Sequence, residues 1–456
     1  MSLSLSLKAK TRLIQAWRAG VACVGGERAV RAAIGGERDG RAITHLLAVG
    51  KAASAMCAGA LEHLAADGVA LVVTKHRHCD AAVAAHPQVT VIESGHPTPD
   101  ANSLRAGREM AAMVRAAPSS AELVMLLSGG ASALAEDLAD AIGLDDLRRL
   151  TEQLLAGGYD IERINAARTR LSRIKGGRLL GGFRGRSVRV YAISDVRGDR
   201  IEVIGGGIGA LGRVESLADS LPPEMDDLLA RLGEGDSSHG DSESRNDDSS
   251  HGDNELRNDD SLRNNVSFRA NDSPHNDPSH STNASDSIDY RAHIIASNRV
   301  ARDGAATFLR DAGLNVVVNE ESLHCDLHAA AQRIAADVLA GPPGAYVWGG
   351  EPTVVLPRKP GVGGRNQSLA LAFAKAIRGR RDLCALVAGT DGTDGPTAVA
   401  GALVDGDTFD AASGAARALQ KADAGTYLAR IAALFKPGPT GTNVMDLAIA
   451  IKHGRA

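Results

Sequence analysis

Runs of consecutive apolar residues recur along the chain and alternate with segments of helical spacing. The runs that we predict to form β-strands are 45–50, 69–75, 89–94, 122–128, 188–194, 293–297, 314–319, 345–350 and 384–389. Most lack a strict apolar–polar alternation, which is typical of strands covered on both faces. Helical stretches such as 50–65 and 366–377 lie between them. This order predicts an α/β fold of two domains with largely parallel sheets.

One long segment interrupts this pattern. Residues 235–289 are mainly Ser, Asn, Asp, His and Arg, and SSHGDSESRNDD at 237–248 is followed at once by the near-identical SSHGDNELRNDD. Such a composition cannot bury enough apolar surface to offset the entropy of ordering it, so we predict a long disordered insertion. The repeated His239 and His251 allow weak metal capture, but a polar linker is favoured. The predicted boundaries are an N-terminal Rossmann-like α/β domain over 1–234, the insertion over 235–289 and a C-terminal α/β domain over 290–456.

The first 26 residues contain no acidic side chain, which is weakly similar to a transit peptide. Apolar residues nevertheless recur there at helical spacing, namely Leu13, Ile14, Trp17, Val21 and Val24. A structural N-terminal helix is therefore the favoured interpretation. No apolar run reaches the ~18 residues that a membrane span needs.

Composition and charge narrow the class of protein. The 456 residues suffice for two cores, and 44% hydrophobic with 23% charged residues is typical of a globular protein. A formal net charge of −4 argues against a nucleic-acid binder. The five cysteines are scattered without CxxC spacing, which indicates reduced thiols rather than disulfides or a zinc site. We expect a cytoplasmic enzyme with no nucleic-acid or membrane partner.

Polar groups follow several predicted strands at the edge where open parallel sheets bind ligands. Lys51 comes after the first strand, at a helix start where a bound anion explains a cation better than the helix dipole does. Residues 128–132, SGGAS, form a strand-to-helix turn whose glycines let backbone N–H groups approach a phosphate, although such turns also serve as tight bends.

Carboxylates and an amide follow other strands. Asp195 follows the strand at 188–194, where it could also be only a turn or cap residue. Asn298 follows 293–297 and Glu351 follows 345–350. Two aspartates, Asp391 and Asp394, directly follow the apolar run 384–389, a place where a strand has no structural need of carboxylates.

Two further loops carry candidate groups. The segment GVGGRNQS places Arg365 just before a helix that we expect Asn366 to cap, and arginine can clamp a phosphoryl group or a carboxylate bidentately. Residues 437–451 predict another helix, with Asn443 and Asp446 on one face and either Thr442 or Asn443 as its cap.

Residues 207–212 match the dinucleotide fingerprint G-x-G-x-x-G. A functional fingerprint follows a strong strand and precedes a helix and a second strand that ends in an acidic residue. Here the preceding strand is short, and the position about 20 residues later reaches the edge of the insertion. We therefore discount this match.

Ten motifs in order give the chain a family resemblance: AVGKAASAM, SGHPTPD, LLSGGASAL, INAARTRLSRIKGGRL, ISDVRGD, IIASN, WGGEPTV, GGRNQSLALAFA, AGTDGTDGPTAVAGALVD and TGTNVMDLAIAI. With them the sequence resembles the ATP-dependent D-glycerate 2-kinases that carry a C-terminal MOFRL domain. Local departures are Arg197 in place of a proline, GGGIG at 205–209 in place of a Ser-Gly-Pro turn, and Arg170 in place of a histidine.

The resemblance implies ATP-dependent phosphorylation of D-glycerate at its 2-hydroxyl, giving 2-phospho-D-glycerate and ADP, in a cleft between the domains. It implies ATP and Mg²⁺ as cofactors and a homodimer as a candidate assembly. Some family members are labelled hydroxypyruvate reductase, so an NAD(P)H-dependent reductase is the alternative. A non-catalytic binding protein is a third hypothesis, but it leaves the polar groups at the strand ends unexplained.

The resemblance also implies roles for the candidate residues. The catalytic candidates are Lys51, Arg365, Asp195 and Asp391. Candidates for nucleotide binding are Ser128, Gly129, Gly130, Ser132, Lys175, Asn298, Glu351 and Asn443. Candidates for binding Mg²⁺ are Asp195, Asp391 and Asp394. The sequence leaves open which carboxylate acts as base and which binds metal.

Overall fold

The computed structural model describes residues 3–37, 40–139, 142–156, 159, 161–212 and 288–454. The predicted insertion at 235–289 lies outside the described residues except for its last two positions. The chain divides into two compact units, of which the first comprises Met1–Asp137, Ile174–Val214 and Tyr290–Ala456, and the second Leu138–Arg173 and Glu215–Asp289. The strands of both β-sheets described below lie in the first unit, apart from Asp289, the first residue of the sixth strand. The predicted boundaries at 234 and 290 stay a prediction.

The first sheet is formed by the strands β1 to β6, and β1 to β5 pair in parallel in the order β3-β2-β1-β4-β5, with β6 next to β5. Their bounds are Ile43–Val49, Leu64–Lys75, Val89–Ser94, Glu122–Leu127, Ser187–Ile193 and Asp289–Ala296. The register places Val49 at the end of β1 opposite Val73 of β2 and Leu127 of β4. The carboxyl ends of these strands are therefore level with one another.

The second sheet has the order β11-β10-β9-β12-β8-β7. The bounds of β7 to β12 are Val316–Glu321, Gly344–Gly350, Leu383–Gly389, Gly401–Asp405, Leu434–Phe435 and Asp446–Lys452. Only β7 and β8 pair in parallel, and the other four pairings are antiparallel. The α/β class is confirmed, but the prediction of parallel strands is wrong for this sheet because β10 folds back beside β9 and β12 inserts between β8 and β9.

The predicted helix over 437–451 is wrong. Residues 446–452 form the central strand β12, all of whose residues are buried except the half-buried Lys452. A short Ala- and Ile-rich run fits a buried helix or a central strand equally well by periodicity. Gly438 and Gly441 adopt positive φ in the preceding loop, which a helix would not require. Asn443 and Asp446 consequently do not share a helical face.

The described helices cover the sheets and connect their strands. The α-helices α1 to α14 are Leu3–Cys23, Gly26–Gly35, Ala53–Ala60, Ala81–Ala84, Ala101–Ala116, Ala131–Leu134, Leu144–Ala156, Ile161–Leu171, Arg178–Gly181, Asn298–Asp311, Leu327–Ala340, Arg365–Ala376, Ala415–Gln420 and Ala424–Arg430, with short 3₁₀ turns at Leu61–His63, Ile204–Gly206 and Thr408–Asp410. The predicted N-terminal helix is confirmed as α1, whose Trp17 packs edge-on against Phe435 of the second sheet at 5.0 Å between ring centroids. None of the helices in the described part of the chain is long and apolar enough to span a membrane.

Candidate active site

The ends of the two sheets bring the predicted groups together. Lys51, the turn 128–130 and Asp195 follow β1, β4 and β5 of the first sheet. Glu351 and Asp391 follow β8 and β9 of the second. Because β12 runs antiparallel, its first residue, Asp446, lies opposite Gly350 and Gly389 at the carboxyl ends of those strands. The strand-end rule thus places groups from both sheets in one cluster, at the junction of two sheets that belong to one compact unit.

A salt bridge joins the two sheets at this junction. The Lys51 ammonium lies 3.2 Å from Oδ2 of Asp391. Oδ1 of Asp391 accepts hydrogen bonds from the backbone N–H and the hydroxyl of Thr393, at 2.8 and 3.0 Å. Burial by itself raises the pKa of Asp391, but the charge of Lys51 and the Thr393 hydrogen bonds outweigh it and hold the pKa below its ordinary value. Asp391 is therefore anionic at neutral pH.

The glycine-rich turn lies against Asp195. A Cβ atom on Gly129 would be 1.8 Å from Oδ2 of Asp195, and Gly130 has φ 86°, so both positions require glycine. The Ser128 hydroxyl is buried and accepts a hydrogen bond from the backbone N–H of Ala52, just before α3. The predicted turn is thus present, and the Ser128 hydroxyl supports the neighbouring loop. Ser132 lies in the four-residue helix α6 that follows.

Asp195 lies close enough to Lys51 and Arg365 for their positive charges to affect its pKa. Its Oδ2 accepts a hydrogen bond from Nδ2 of Asn443 at 3.1 Å. Burial raises the pKa of Asp195 above its ordinary value, and the negative charge of Asp391 acts in the same direction, while Lys51 and Arg365 oppose both. Asp195 is thus the more basic of the two aspartates. The departure at Arg197 leaves this contact in place.

Arg365 forms a fork between two carboxylates of the second sheet. Its Nε and Nη2 donate to Asp446 at 2.6 and 3.3 Å, and Nη1 pairs with Glu351. Asp446 is 1% exposed, whereas the Arg365 side chain is 34% exposed. Burial lowers the pKa of Arg365, but the negative charges of Asp446 and Glu351 raise it by more than burial lowers it, so the guanidinium stays charged. Burial raises the pKa of Glu351 to about 7, with Arg365 opposing and Asp446 adding to the rise.

The helix α12 begins differently from the prediction. Its N-cap is Gly364, and Asn366 lies within the first turn, where its amide donates to Asp446 at 2.9 Å. The cap is supplied by Asp394, whose carboxylate accepts the backbone N–H groups of Asn366 and Gln367 at 3.0 and 2.8 Å. Asp394 is 3% exposed, and burial raises its pKa to about 6. Both of its oxygens serve the helix, so it is poorly placed to bind a metal.

Two predicted nucleotide contacts are buried against protein partners. The Asn298 amide donates to the backbone carbonyls of Val444 and Asp446, at 2.8 and 3.0 Å, and its oxygen accepts from Arg302. Lys175 is 0% exposed and forms an ion pair with the buried Glu136. Both arrangements favour a supporting role for these side chains over contact with a nucleotide.

Sequence reasoning missed several groups of this site. His96 follows β3 and Lys75 ends β2, so the strand-end rule applied to these two strands would have found both. Burial, together with the charges of Lys51 and Lys75, lowers the pKa of His96 to about 3. The sequence predicts Asp446 in a helix, whereas its position at the start of strand β12 is what brings it to Arg365.

Residues 207–212, which match the dinucleotide fingerprint in sequence, do not adopt the strand-turn-helix structure of a fingerprint. Residues 204–206 form a 3₁₀ turn, and Gly205, Gly206 and Gly207 adopt positive φ without a preceding strand or a following helix in the described residues. Carbonyls of Gly206 and Gly207 accept the N–H groups of Gly176 and Gly177, both at 2.9 Å. These glycines therefore serve close backbone packing.

Comparison with known proteins indicates the same family as the ten ordered sequence motifs. The domain of unknown function DUF4147 matches residues 12–213, and the MOFRL family matches residues 344–446. The chain is 31% identical to a D-glycerate 2-kinase of Thermotoga maritima, covering 97% of this chain and 98% of that protein. It is 31% identical to a glycerate 2-kinase of Pyrococcus horikoshii, covering 90% of this chain and 88% of that one. A crystal structure of a Thermotoga maritima glycerate kinase superposes with a TM-score of 0.73 at 30% identity, covering 97% of this chain and 99% of that one. This chain therefore belongs to the glycerate 2-kinase family.

Proposed function

We propose that this protein transfers the γ-phosphoryl group of ATP to the 2-hydroxyl of D-glycerate, giving 2-phospho-D-glycerate and ADP. The observation that carries the proposal is the grouping of Lys51 and Arg365, each paired with a carboxylate, around Asp195, whose Oδ2 lies against Gly129 of the glycine-rich turn. Phosphoryl transfer demands positioning and charge neutralisation rather than covalent chemistry from the protein. The site supplies both, and its family membership agrees with this reaction.

Each side chain has a task in this reaction. Lys51 neutralises charge on the transferring phosphoryl group, for which its ammonium leaves Asp391. Arg365, held rigid by Asp446, faces the carboxylate of glycerate with its exposed edge. Asp195, the more basic aspartate, accepts the proton of the 2-hydroxyl as the hydroxyl oxygen bonds to phosphorus. Gly129 and Gly130 allow the backbone of the turn to approach the phosphates.

The donor set fits Mg²⁺, which binds proteins through one or two carboxylates and completes its shell with phosphate oxygens and water. Asp391 is anionic and half-buried, and its negative charge raises the pKa of Asp195, so the two carboxylates lie near each other. Among the described residues no three His, Cys, Asp or Glu side chains group as a self-sufficient metal site. When bound, Mg²⁺ would neutralise phosphate charge.

The Asp391→Asn variant tests this assignment. The substitution keeps the volume and removes the charge, so we expect the Mg²⁺ concentration for half-maximal activity to rise about 10-fold because one anionic ligand is lost. Titration of the initial rate with MgCl₂ at saturating ATP measures it. An unchanged titration curve would remove Asp391 from the metal site.

The pH profile of Asp195→Asn tests the base. In the wild type, kcat/KM should rise with pH through the raised pKa of Asp195, because the carboxylate must lose its proton before it can accept one. We expect the variant to lose about 100-fold in kcat/KM and this acid-side limb with it. A profile of unchanged shape in the variant would assign the limb to another group.

The activity itself is tested with ATP, MgCl₂ and D-glycerate. Phosphorus and proton NMR of the product identify which hydroxyl carries the phosphate, and transfer to the 3-hydroxyl would contradict the proposal. The alternative reductase predicts oxidation of NADH or NADPH by hydroxypyruvate, which the turn structure at 204–207 does not favour. A cytoplasmic location and a homodimer stay predictions.

A further inference from the structure

His96 presents an unpartnered imidazole to the active site. It follows β3, and its side chain is half-buried. A Cβ on Gly130 would lie 3.1 Å from Nε2 of His96 and 3.2 Å from Cγ of Lys51, so the ring edge and the lysine stem both lie over the glycine-rich turn. Neither ring nitrogen forms a hydrogen bond with any residue that the structure describes. A polar ring in such a place has its hydrogen-bonding capacity free for a ligand.

The charges around His96 fix its protonation state. Burial, together with the positive charges of Lys51 and Lys75, lowers its pKa to about 3, while Asp391 opposes them. The ring is therefore neutral at physiological pH. A neutral imidazole offers one N–H donor and one acceptor nitrogen. Carboxylates and phosphates accept hydrogen bonds only, whereas a hydroxyl both donates and accepts, so a hydroxyl is the better partner for this ring.

D-Glycerate carries two hydroxyls with different tasks. The 2-hydroxyl receives the phosphoryl group and must face Asp195 and the phosphates. The carboxylate is matched by the Arg365 guanidinium. The 3-hydroxyl is the group for which no other residue has been assigned, and His96 lies at the same glycine-rich turn beside Lys51.

On the basis of the proposed kinase reaction, we propose that His96 is a specificity-determining residue that hydrogen-bonds the non-reacting 3-hydroxyl of D-glycerate. This contact distinguishes D-glycerate from D-lactate, which has the same configuration and reacting hydroxyl but a methyl group in place of the CH₂OH group. A site that hydrogen-bonds a substrate hydroxyl rejects the analogue without it, because its own polar group is then left unpaired.

The test compares the two acids in four proteins: wild type, His96→Leu, His96→Gln and the control His328→Gln, whose histidine lies exposed on α11. The kcat/KM is measured for D-glycerate and for D-lactate, and the inhibition constant of D-lactate replaces its kcat/KM if turnover is below detection. We expect wild type to prefer D-glycerate at least ~10-fold. His96→Leu should lose about 10-fold or more with D-glycerate but less than about threefold with D-lactate.

His96→Gln can place an amide near the position of Nε2 and should keep part of the preference for D-glycerate that His96→Leu loses. The KM for ATP should stay unchanged in both His96 variants. The control His328→Gln should have the same kcat/KM as wild type with both acids. Equal losses with both acids, or no preference in wild type, would overturn the role of His96 while leaving the kinase intact. Failure of wild type to phosphorylate D-glycerate would instead overturn the proposed function, and this inference with it. If His96→Leu does not fold, the ratio of the two acids in His96→Gln decides, since a preference reduced below that of wild type supports the contact and a preference equal to that of wild type contradicts it.

Discussion

The Lys51→Ala variant is expected to lose about 1,000-fold in kcat/KM with D-glycerate and ATP, while its melting temperature stays within about 3 °C of wild type. The Lys51 side chain lies beside Gly130 of the glycine-rich turn, and among the described residues the ion pair of its ammonium is with Asp391. That pair is partly exposed, so its loss costs little stability, about 1 kcal/mol or less. Charge on the transferring phosphoryl group, in contrast, has to be neutralised in the transition state. Steady-state kinetics and thermal unfolding of the same preparation measure both quantities.

Two variants control this result. Lys375→Ala removes an exposed lysine from α12 and should leave both quantities unchanged. Lys51→Arg keeps the charge but replaces a compact ammonium by a larger planar group, and we expect it to recover only part of the activity. A fall in stability proportional to the fall in activity for Lys51→Ala would mean that Lys51 supports the fold instead of the reaction.

The parallel part of the fold could be predicted from the sequence because its strands are long apolar runs. All nine predicted strands are present, and β3 begins and ends at the predicted residues. The strands that were missed, β10, β11 and β12, lie in the antiparallel part of the second sheet. β11 has two residues, too few for any pattern, and β12 has an Ala- and Ile-rich composition that also suits a helix.

The site could be predicted where a strand end alone decides position. Lys51, Asp195 and Asp391 each follow a correctly predicted strand, and the structure brings them together. The roles of Asp394 and Asn366 could not be predicted, because the cap of α12 comes from a loop 28 residues away in sequence. No local pattern reports such a contact. His96 and Lys75 also lie at strand ends, those of β3 and β2, where the same rule predicts ligand-binding groups.

The pairing of Arg365 with a buried carboxylate also changes what its substitution should do. From the sequence, a loop arginine that contacts phosphate would be dispensable for stability. The structure instead shows Asp446 at 1% exposure, held by the arginine fork and by the Asn366 amide. Removing the arginine leaves a buried carboxylate without its cation, and such groups are costly.

We therefore expect Arg365→Ala to lose both activity and stability, unlike Lys51→Ala. The loss in kcat/KM should be about 1,000-fold, and the free energy of unfolding should fall by about 2–4 kcal/mol because Asp446 loses its charge partner. The double variant Arg365→Ala/Asp446→Asn separates the two effects. The neutral amide needs no cation, so the double variant should recover at least about half of the lost stability while its activity stays as low as that of Arg365→Ala. Urea unfolding and steady-state kinetics of wild type, both single variants and the double variant complete the cycle. Recovery of activity together with stability would show that Arg365 acts only by neutralising Asp446, and an Arg365→Ala protein of wild-type stability would show that the buried pair contributes nothing to the fold.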